Sequence, residues 1–387
     1  MKNGGIEMGA CPKYLQPYEE IWKQDPHAAN LEWFRNARYG LFLHYGLYSL
    51  LHKKEWALYR EQIPLKEYEA LKEAFTAHHF DADKITDLAI AAGMKYITIT
   101  ACHHEGFCLW DSKIEPFNSV NSPAGRDLIR ELSDACAKKG LGFFVYYTFM
   151  LNWRYPYFIE NTIFEYSRPM YKEKEPRYLD NGKESFSKYL DYIQEAIDEL
   201  LSNYSVTGIW FDIIMAWYIL GEEYIPIERI YADIRKKHPD VLISWKQGAT
   251  GTEDFASPEQ KFDDHTENIR NLFGDAAAMR AKRGFDGNRN KHNEICATVQ
   301  REGWGFNPMS ENKSVDELYH LLGHASENNC NLLLNVGPMA DGGIHPGQEQ
   351  LLLELADKIK REGFPMKATD LDHENQKQSC ENDGIAQ

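Results

Sequence analysis

The run Gly208-Ile209-Trp210-Phe211 is apolar and β-prone, and it ends abruptly in the carboxylate of Asp212. Barrel enzymes present their catalytic groups at the C-terminal ends of buried strands. A carboxylate held that close to a core needs a partner or a purpose. Four other strand-like runs end in polar groups: at His44, at the pair His103-His104, at Tyr147-Thr148 and at Lys246. The plain alternative for Asp212 is a helix N-cap, and for each imidazole a hydrogen-bonded structural role. Several polar strand ends in succession point instead to one shared pocket. Neutral imidazoles both donate and accept, which suits a hydroxyl-rich ligand.

Other candidates are more ambiguous. Glu55-Trp56 reads equally as a surface acid beside a packed indole. Glu259 lies in Ser257-Pro258-Glu259-Gln260, a helix-start signal with Ser as cap, Pro at the first position and Gln three after the cap. A first-turn Glu is favoured by the helix dipole alone. In Leu332–Pro338, Asn335 is expected to hold a tight turn together. Neighbours on an extended strand point to opposite sides, so His103 and His104 need not face one ligand. Their spacing matches no common zinc motif, and no phosphate loop or Gly-x-Ser-x-Gly elbow occurs. No metal or other cofactor is expected.

The elements that must position these groups are legible as a repeat. Helical stripes (Ile85, Leu88, Ala89, Ala92; Leu128, Ile129, Leu132, Cys136; Phe186, Leu190, Ile193, Ile197, Leu200; Ile227, Ile230, Ile234) alternate with the strands Tyr96–Ala101, Phe143–Tyr147, Gly208–Phe211 and Val241–Trp245. Tyr39–Tyr45 precedes the series, and Glu294–Val299 and Asn331–Val336 follow it. Seven or eight near-continuous apolar strands alternating with helices predict a parallel α/β protein closed as a single (β/α)8-like, TIM-type barrel. Residues 1–30 read as an N-terminal segment, 31–365 as the barrel and 366–387 as a polar tail. Tyr155–Gly182 and Gln247–Asn293 read as long loops over the site.

Composition excludes several classes. The 387 residues carry a net charge of −16, which repels nucleic acid. No apolar run reaches the ~18 residues of a membrane span. The N-terminus shows no apolar signal region, and the seven cysteines form no CxxC pair. A reduced, cytoplasmic protein is the expectation, although a mature secreted form would begin the same way. Oligomeric state is not legible.

Taken together and in order, Arg38–Ser49, Glu55-Trp56, His103–Ser112, Arg126-Asp127-Leu128, Trp210-Phe211-Asp212, Trp304-Gly305-Phe306 and Asn331–Pro338 with Asp341-Gly342 resemble the α-L-fucosidases of glycoside hydrolase family 29. The resemblance spans roughly Leu31 to Gly363. It implies a retaining exo-glycosidase acting on fucosylated oligosaccharides or glycoconjugates, with Asp212 as nucleophile. It also implies Glu259 at the family's variable acid/base position; should Glu259 not fill that role, Glu55, Glu294 and Glu302 are the next candidates. By the same resemblance, His44, Glu55, Trp56, His103, His104, Tyr146 and Trp210 bind the sugar, Trp304 lines the pocket, and Lys246 falls near a position where some members place Arg. Tyr45 stands where Trp is common and Glu105 where Asp is usual, and no β-sandwich follows the barrel. Two alternatives stay open: a non-catalytic fucose-binding barrel or scaffold, and a glycosidase for a related sugar such as a galactoside.

Overall fold

The computed structural model describes residues 10–156, 165–179 and 183–365. The expected tail at 366–387 lies outside these, as does part of the loop Tyr155–Gly182. Eight parallel strands run in the order β6-β5-β4-β3-β2-β1-β8-β7. They are β1 (Tyr39–Leu43), β2 (Tyr96–Cys102), β3 (Gly142–Thr148), β4 (Gly208–Asp212), β5 (Leu242–Trp245), β6 (Phe255–Ala256), β7 (Asn293–Thr298) and β8 (Cys330–Val336). Just beyond β6, Pro258 O accepts from Cys296 N at 3.0 Å and Gln260 N donates to Cys296 O at 3.1 Å. These bonds bring β6 against β7 and nearly close the ring, as the α/β barrel expectation required.

Helices α1 (Pro26–Ala37), α2 (Ala82–Ala91), α3 (Leu128–Lys139), α4 (Lys183–Asn203), α5 (Ile227–Lys237), α6 (Thr266–Phe273), α7 (Asp275–Asn288), α8 (Val315–Glu327) and α9 (Pro346–Glu362) pack around the strands or, for α1, beneath them. Local chemistry sets their ends. Asp25, Asp81 and Asp127 accept first-turn backbone N–H groups, and Ser314 with Glu317 forms a capping box. Gly140 ends α3 with φ +80°, a conformation that spares glycine the Cβ penalty. Among the described residues no helix is long and apolar enough to cross a membrane.

Among the described residues there are two apolar cores. The larger fills the space between strands and outer helices. The smaller fills the barrel itself with Phe42, Tyr96, Phe144, Trp210, Leu242, Phe255 and Leu333, and it is plugged from below by Leu15, Trp22, Trp33 and Phe34. Helix α1 crosses position 31, so the segment before that number joins the same packing. The stretch Gln247–Asn293, read as a loop, contains β6, α6 and α7. Inside the barrel, Gly208 leaves room for Phe144, whose ring would stand 2.3 Å from a Cβ there.

Candidate active site

Side chains alternate across a strand, so Gly208, Trp210 and Asp212 share the interior face of β4 while Ile209 and Phe211 face the helices. The same alternation turns Phe42 and His44 inward from β1 and its end, and Tyr146 inward from β3, paired in register with Trp210. In β2 the pairing shifts register between Thr100 and Cys102. One extra residue re-aims the strand end, and both His103 and His104 then face the pocket, with rings 4.0 Å apart. The cavity at the C-terminal mouth measures about 260 Å³ and is lined by His44, Glu55, Trp56, His103, His104, Tyr146, Trp210, Asp212, Lys246, Glu259 and Trp304, together with Phe42, Arg60 and Ile213. All eleven residues singled out in the sequence meet there. A larger groove of about 1050 Å³ runs between α2, α3 and α9 without comparable convergence, so size alone does not locate the site.

Charge is organised around Lys246. Its Nζ lies 3.5 Å from Asp212 Oδ1 and 2.5 Å from Glu259 Oε1. Asp212 also accepts from Tyr146 Oη (2.7 Å) and from Ile213 N (2.7 Å). Burial pushes the Asp212 carboxyl up, but the Lys246 ammonium, the Tyr146 hydroxyl and the Ile213 amide together hold it below its ordinary value. Burial pulls Lys246 down, yet Asp212 and Glu259 more than offset this and its pKa is raised. The residue after each charged group, Ile213, Gln247 and Gln260, has φ of +59°, +66° and +61°. For the β-branched Ile213 this is a strained conformation of the kind found at functional sites, about 1–3 kcal/mol. It folds the Ile213 amide back onto Asp212.

The imidazoles are oriented from behind. Asn335 Oδ1 can only accept, so His44 donates Nδ1–H to it at 2.7 Å, and Asn335 Nδ2 in turn donates to Trp304 O at 2.8 Å. Thr148 spends its hydroxyl proton on Leu151 O, so His104 donates Nδ1–H to Thr148 Oγ1 at 2.6 Å. In both rings Nε2 is left as an acceptor for a ligand hydroxyl. Burial first, and then neighbouring positive or imidazole groups, holds all three histidines well below their ordinary pKa, hence neutral. His104 Nε2 lies 3.7 Å from Asp212 Oδ2, and the His103 ring stacks on Tyr146.

Several expectations are corrected. Ser257-Pro258-Glu259 starts no helix: Ser257 Oγ bonds to Ser244 and to Glu294 (both 2.9 Å), and Glu259 bridges to Cys296 at the barrel seam. Asp212 caps no helix, since the short helix Met215–Leu220 has no side-chain cap. At the third strand end it is Tyr146 that lines the pocket, while Thr148 supports His104 and Tyr147 packs outward near Trp110. Asn335 orients His44 and Trp304 in addition to ending a strand. Of the reserve acids, Glu302 is exposed on Lys54, and Glu294 is buried below the pocket among three donors. Glu55 lines the pocket, and its Oε2 also accepts from Trp304 N (2.8 Å) and Gly305 N (3.2 Å). Tyr45 packs on Phe75 and Phe80, and Glu105 accepts from Leu47 N and Tyr68 Oη, so neither altered position touches the pocket. Arg60 was missed. It follows Trp56 by one helical turn, with Arg60 N bonded to Trp56 O, and that spacing was its signal.

Comparison with known proteins identifies the family. The α-L-fucosidase family matches residues 10–363. Human plasma α-L-fucosidase is 25% identical over 384 residues, covering 91% of this chain and 73% of its own. The structure of α-L-fucosidase isoenzyme 1 from Paenibacillus thiaminolyticus superposes with a TM-score of 0.72 at 31% identity, over 87% of this chain and 76% of that one. An unliganded α-L-fucosidase from Lactobacillus casei gives 0.69 at 30% identity, over 86% and 99%. With its eight-stranded barrel and these relatives, the chain belongs to the α-L-fucosidase family of glycoside hydrolases.

Proposed function

We propose that this enzyme removes terminal α-L-fucose with retention, through a covalent glycosyl-enzyme on Asp212, with Glu259 as acid and then base. The observation that carries the reading is the Asp212–Lys246–Glu259 chain. Its two legs of 3.5 and 2.5 Å keep the facing carboxylate oxygens no more than about 6 Å apart. Retaining pairs stand ~5–5.5 Å apart, while inverting pairs need ~6.5–9.5 Å to admit a water. Asp212 is buried and kept ionised, as a nucleophile must be. Glu259 lines the same pocket with a side chain 43% exposed, which suits a group that must meet a leaving group and then water.

In the first step Asp212 attacks the anomeric carbon, the glycosidic bond breaks, and Glu259 protonates the leaving oxygen. In the second, Glu259 takes a proton from water, which displaces Asp212 and releases the sugar. The acceptor nitrogens of His44 and His104 sort hydroxyls by direction. A cavity of about 260 Å³ falls below the ~300–1,000 Å³ of drug-sized pockets and suits one terminal sugar ring. Phe42, Tyr146 and Trp210 give it an aromatic wall against which a methyl group packs better than a hydroxymethyl, a preference of ~1–3 kcal/mol.

Asp212→Gly should lower kcat on an aryl α-L-fucoside by on the order of 10⁴-fold or more. Azide should restore turnover and yield a fucosyl azide of inverted configuration. Near-normal turnover in this variant would defeat the mechanism, and L-fucose binding without turnover in the wild type would return the protein to the binding-only reading.

A further inference from the structure

Away from the pocket, two segments meet at the surface. His78 and His79 precede α2, and Asp341 lies between β8 and α9. Among the described residues, these three form the one His/Cys/Asp/Glu group whose candidate ligand atoms all lie within 4.8 Å of one another. The backbone holds them there. His79 N donates to Asp341 O at 2.8 Å, and Gly342, at φ +89°, sits so close to Phe80 that a Cβ would stand 2.9 Å from its amide nitrogen. Asp341 Oδ1 accepts from Gly343 N at 3.0 Å, which leaves Oδ2 aimed at His79 Nδ1, 2.8 Å away. His78 Nδ1 bonds to Thr76 Oγ1 at 2.9 Å, and its ring lies 4.2 Å from that of His79.

We propose that His78, His79 and Asp341 form a binding site for a divalent transition metal ion of the zinc class. Two imidazoles and one carboxylate are the donors such ions take, whereas calcium and magnesium demand all-oxygen shells. With metal–ligand bonds of ~2.0–2.2 Å, ligand atoms stand roughly 3 Å apart, near the spacing already held between His79 and Asp341. The Gly343 amide and the Thr76 hydroxyl occupy the outer positions that normally orient a metal's ligands. A bound ion would pin the loop after β1 to the loop after β8. The reaction in the pocket does not call on it.

The test uses the full chain, stripped with a chelator and titrated with Zn²⁺ by calorimetry. The expected result is one Zn²⁺ per chain and a Tm that rises with Zn²⁺. Loss of an outer orienting partner costs ~10–100-fold in affinity, so His79→Ala should weaken binding by at least about tenfold, and His78→Ala likewise. Asp341→Asn, which keeps its acceptor for Gly343 N, should do the same without disturbing the loop. Turnover of an aryl fucoside should not change in these variants. Absence of Zn²⁺ binding up to about 1 mM would overturn the proposal. So would undiminished binding in the His78→Ala/His79→Ala double variant, or Zn²⁺ displaced by L-fucose, since the ion would then belong to the pocket imidazoles. Co²⁺ serves as a second probe: a visible absorption band that persists in the double variant would equally count against it.

Discussion

Asp212 and Glu294 are both buried inside the barrel, yet their carboxyls are shifted in opposite directions. Glu294, near the start of β7, accepts three hydrogen bonds, from Tyr96 Oη (2.5 Å), Ser257 Oγ (2.9 Å) and Trp210 Nε1 (3.0 Å). Burial nevertheless pushes its carboxyl up to about 7. Asp212, at the end of β4, accepts only from Tyr146 and Ile213 but faces Lys246, and its carboxyl is held down. Neutral donors soften the cost of burial; a full charge reverses it. Two charges 3.5 Å apart attract by about 5 kcal/mol at an effective dielectric constant of 20. The difference suits Asp212 to the role of nucleophile proposed for it, while Glu294 supports the floor beneath Trp210.

The comparison can be broken from the Asp212 side. Glu259→Ala removes the second acid on the same cation. Loss of a general acid costs ~10²–10⁴-fold, and the full loss should appear only with poor leaving groups. Activated aryl fucosides, which need no protonation, should be spared in the glycosylation step, and a uniform small loss would move the role elsewhere. Lys246→Met should lower kcat/KM by on the order of 10²-fold, and it should move the acidic limb of the pH profile upward. The sign follows from the Asp212 carboxyl, which is reactive when ionised and is held down by that ammonium. Without it, burial is offset only by the Tyr146 hydroxyl and the Ile213 amide, and ionisation requires a higher pH. An unmoved acidic limb would show that Lys246 does not set the state of Asp212.

From the Glu294 side the readout is stability. In the unfolded chain this carboxyl ionises near 4.5, and in the fold only near 7. The folded protein therefore holds the extra proton between these values. The contribution of Glu294 is fully present below pH 4.5 and is lost as pH rises through 7, on the order of 3 kcal/mol. Glu294→Gln carries no titrating group, so its Tm relative to wild type should improve steadily from pH 4.5 to 7 and level off above. A difference that stays flat across that window would mean Glu294 is ionised throughout.

How much of this was legible in the sequence follows from range. Asp212, His44 and Lys246 were readable because an apolar run that stops at a polar residue marks a strand end, and strand ends of a barrel converge. Glu259 reached the site against its local signals: Ser257 and Pro258 read as a helix start, but Ser257 is drawn to Glu294, 37 positions away, and Glu259 is fixed by the β7 seam. The two residues of β6 are too few to show a period. Helices α6 and α7 were hidden because their buried face rests mostly on Ile269 and small residues, Ala277, Ala278 and Ala281. Asn335 was taken for a turn residue because its partner His44 lies 291 positions away. The left-handed turn at Ile213 leaves no trace in the sequence, since nothing about isoleucine announces a positive φ.

The smallest effect sharpens the comparison most. By the family resemblance Tyr45 stands where Trp is common, and such departures fit the alternative of a non-catalytic fucose-binding barrel. In the fold its ring lies between Phe75 and Phe80, and its hydroxyl donates to Ala340 O at 3.2 Å on the outer side of β1. Tyr45→Phe removes that one bond and leaves the packing, so stability should fall by about 0.5–1.5 kcal/mol. The side chain of Tyr45 touches Phe75, Phe80 and Ala340 O and lines no part of the pocket, so kcat and KM should both stay within about twofold of wild type, since rate changes of that size correspond to less than 1 kcal/mol. A change in KM without a change in Tm would place position 45 in communication with the sugar, and the line drawn here between pocket and outer core would have to be moved inward.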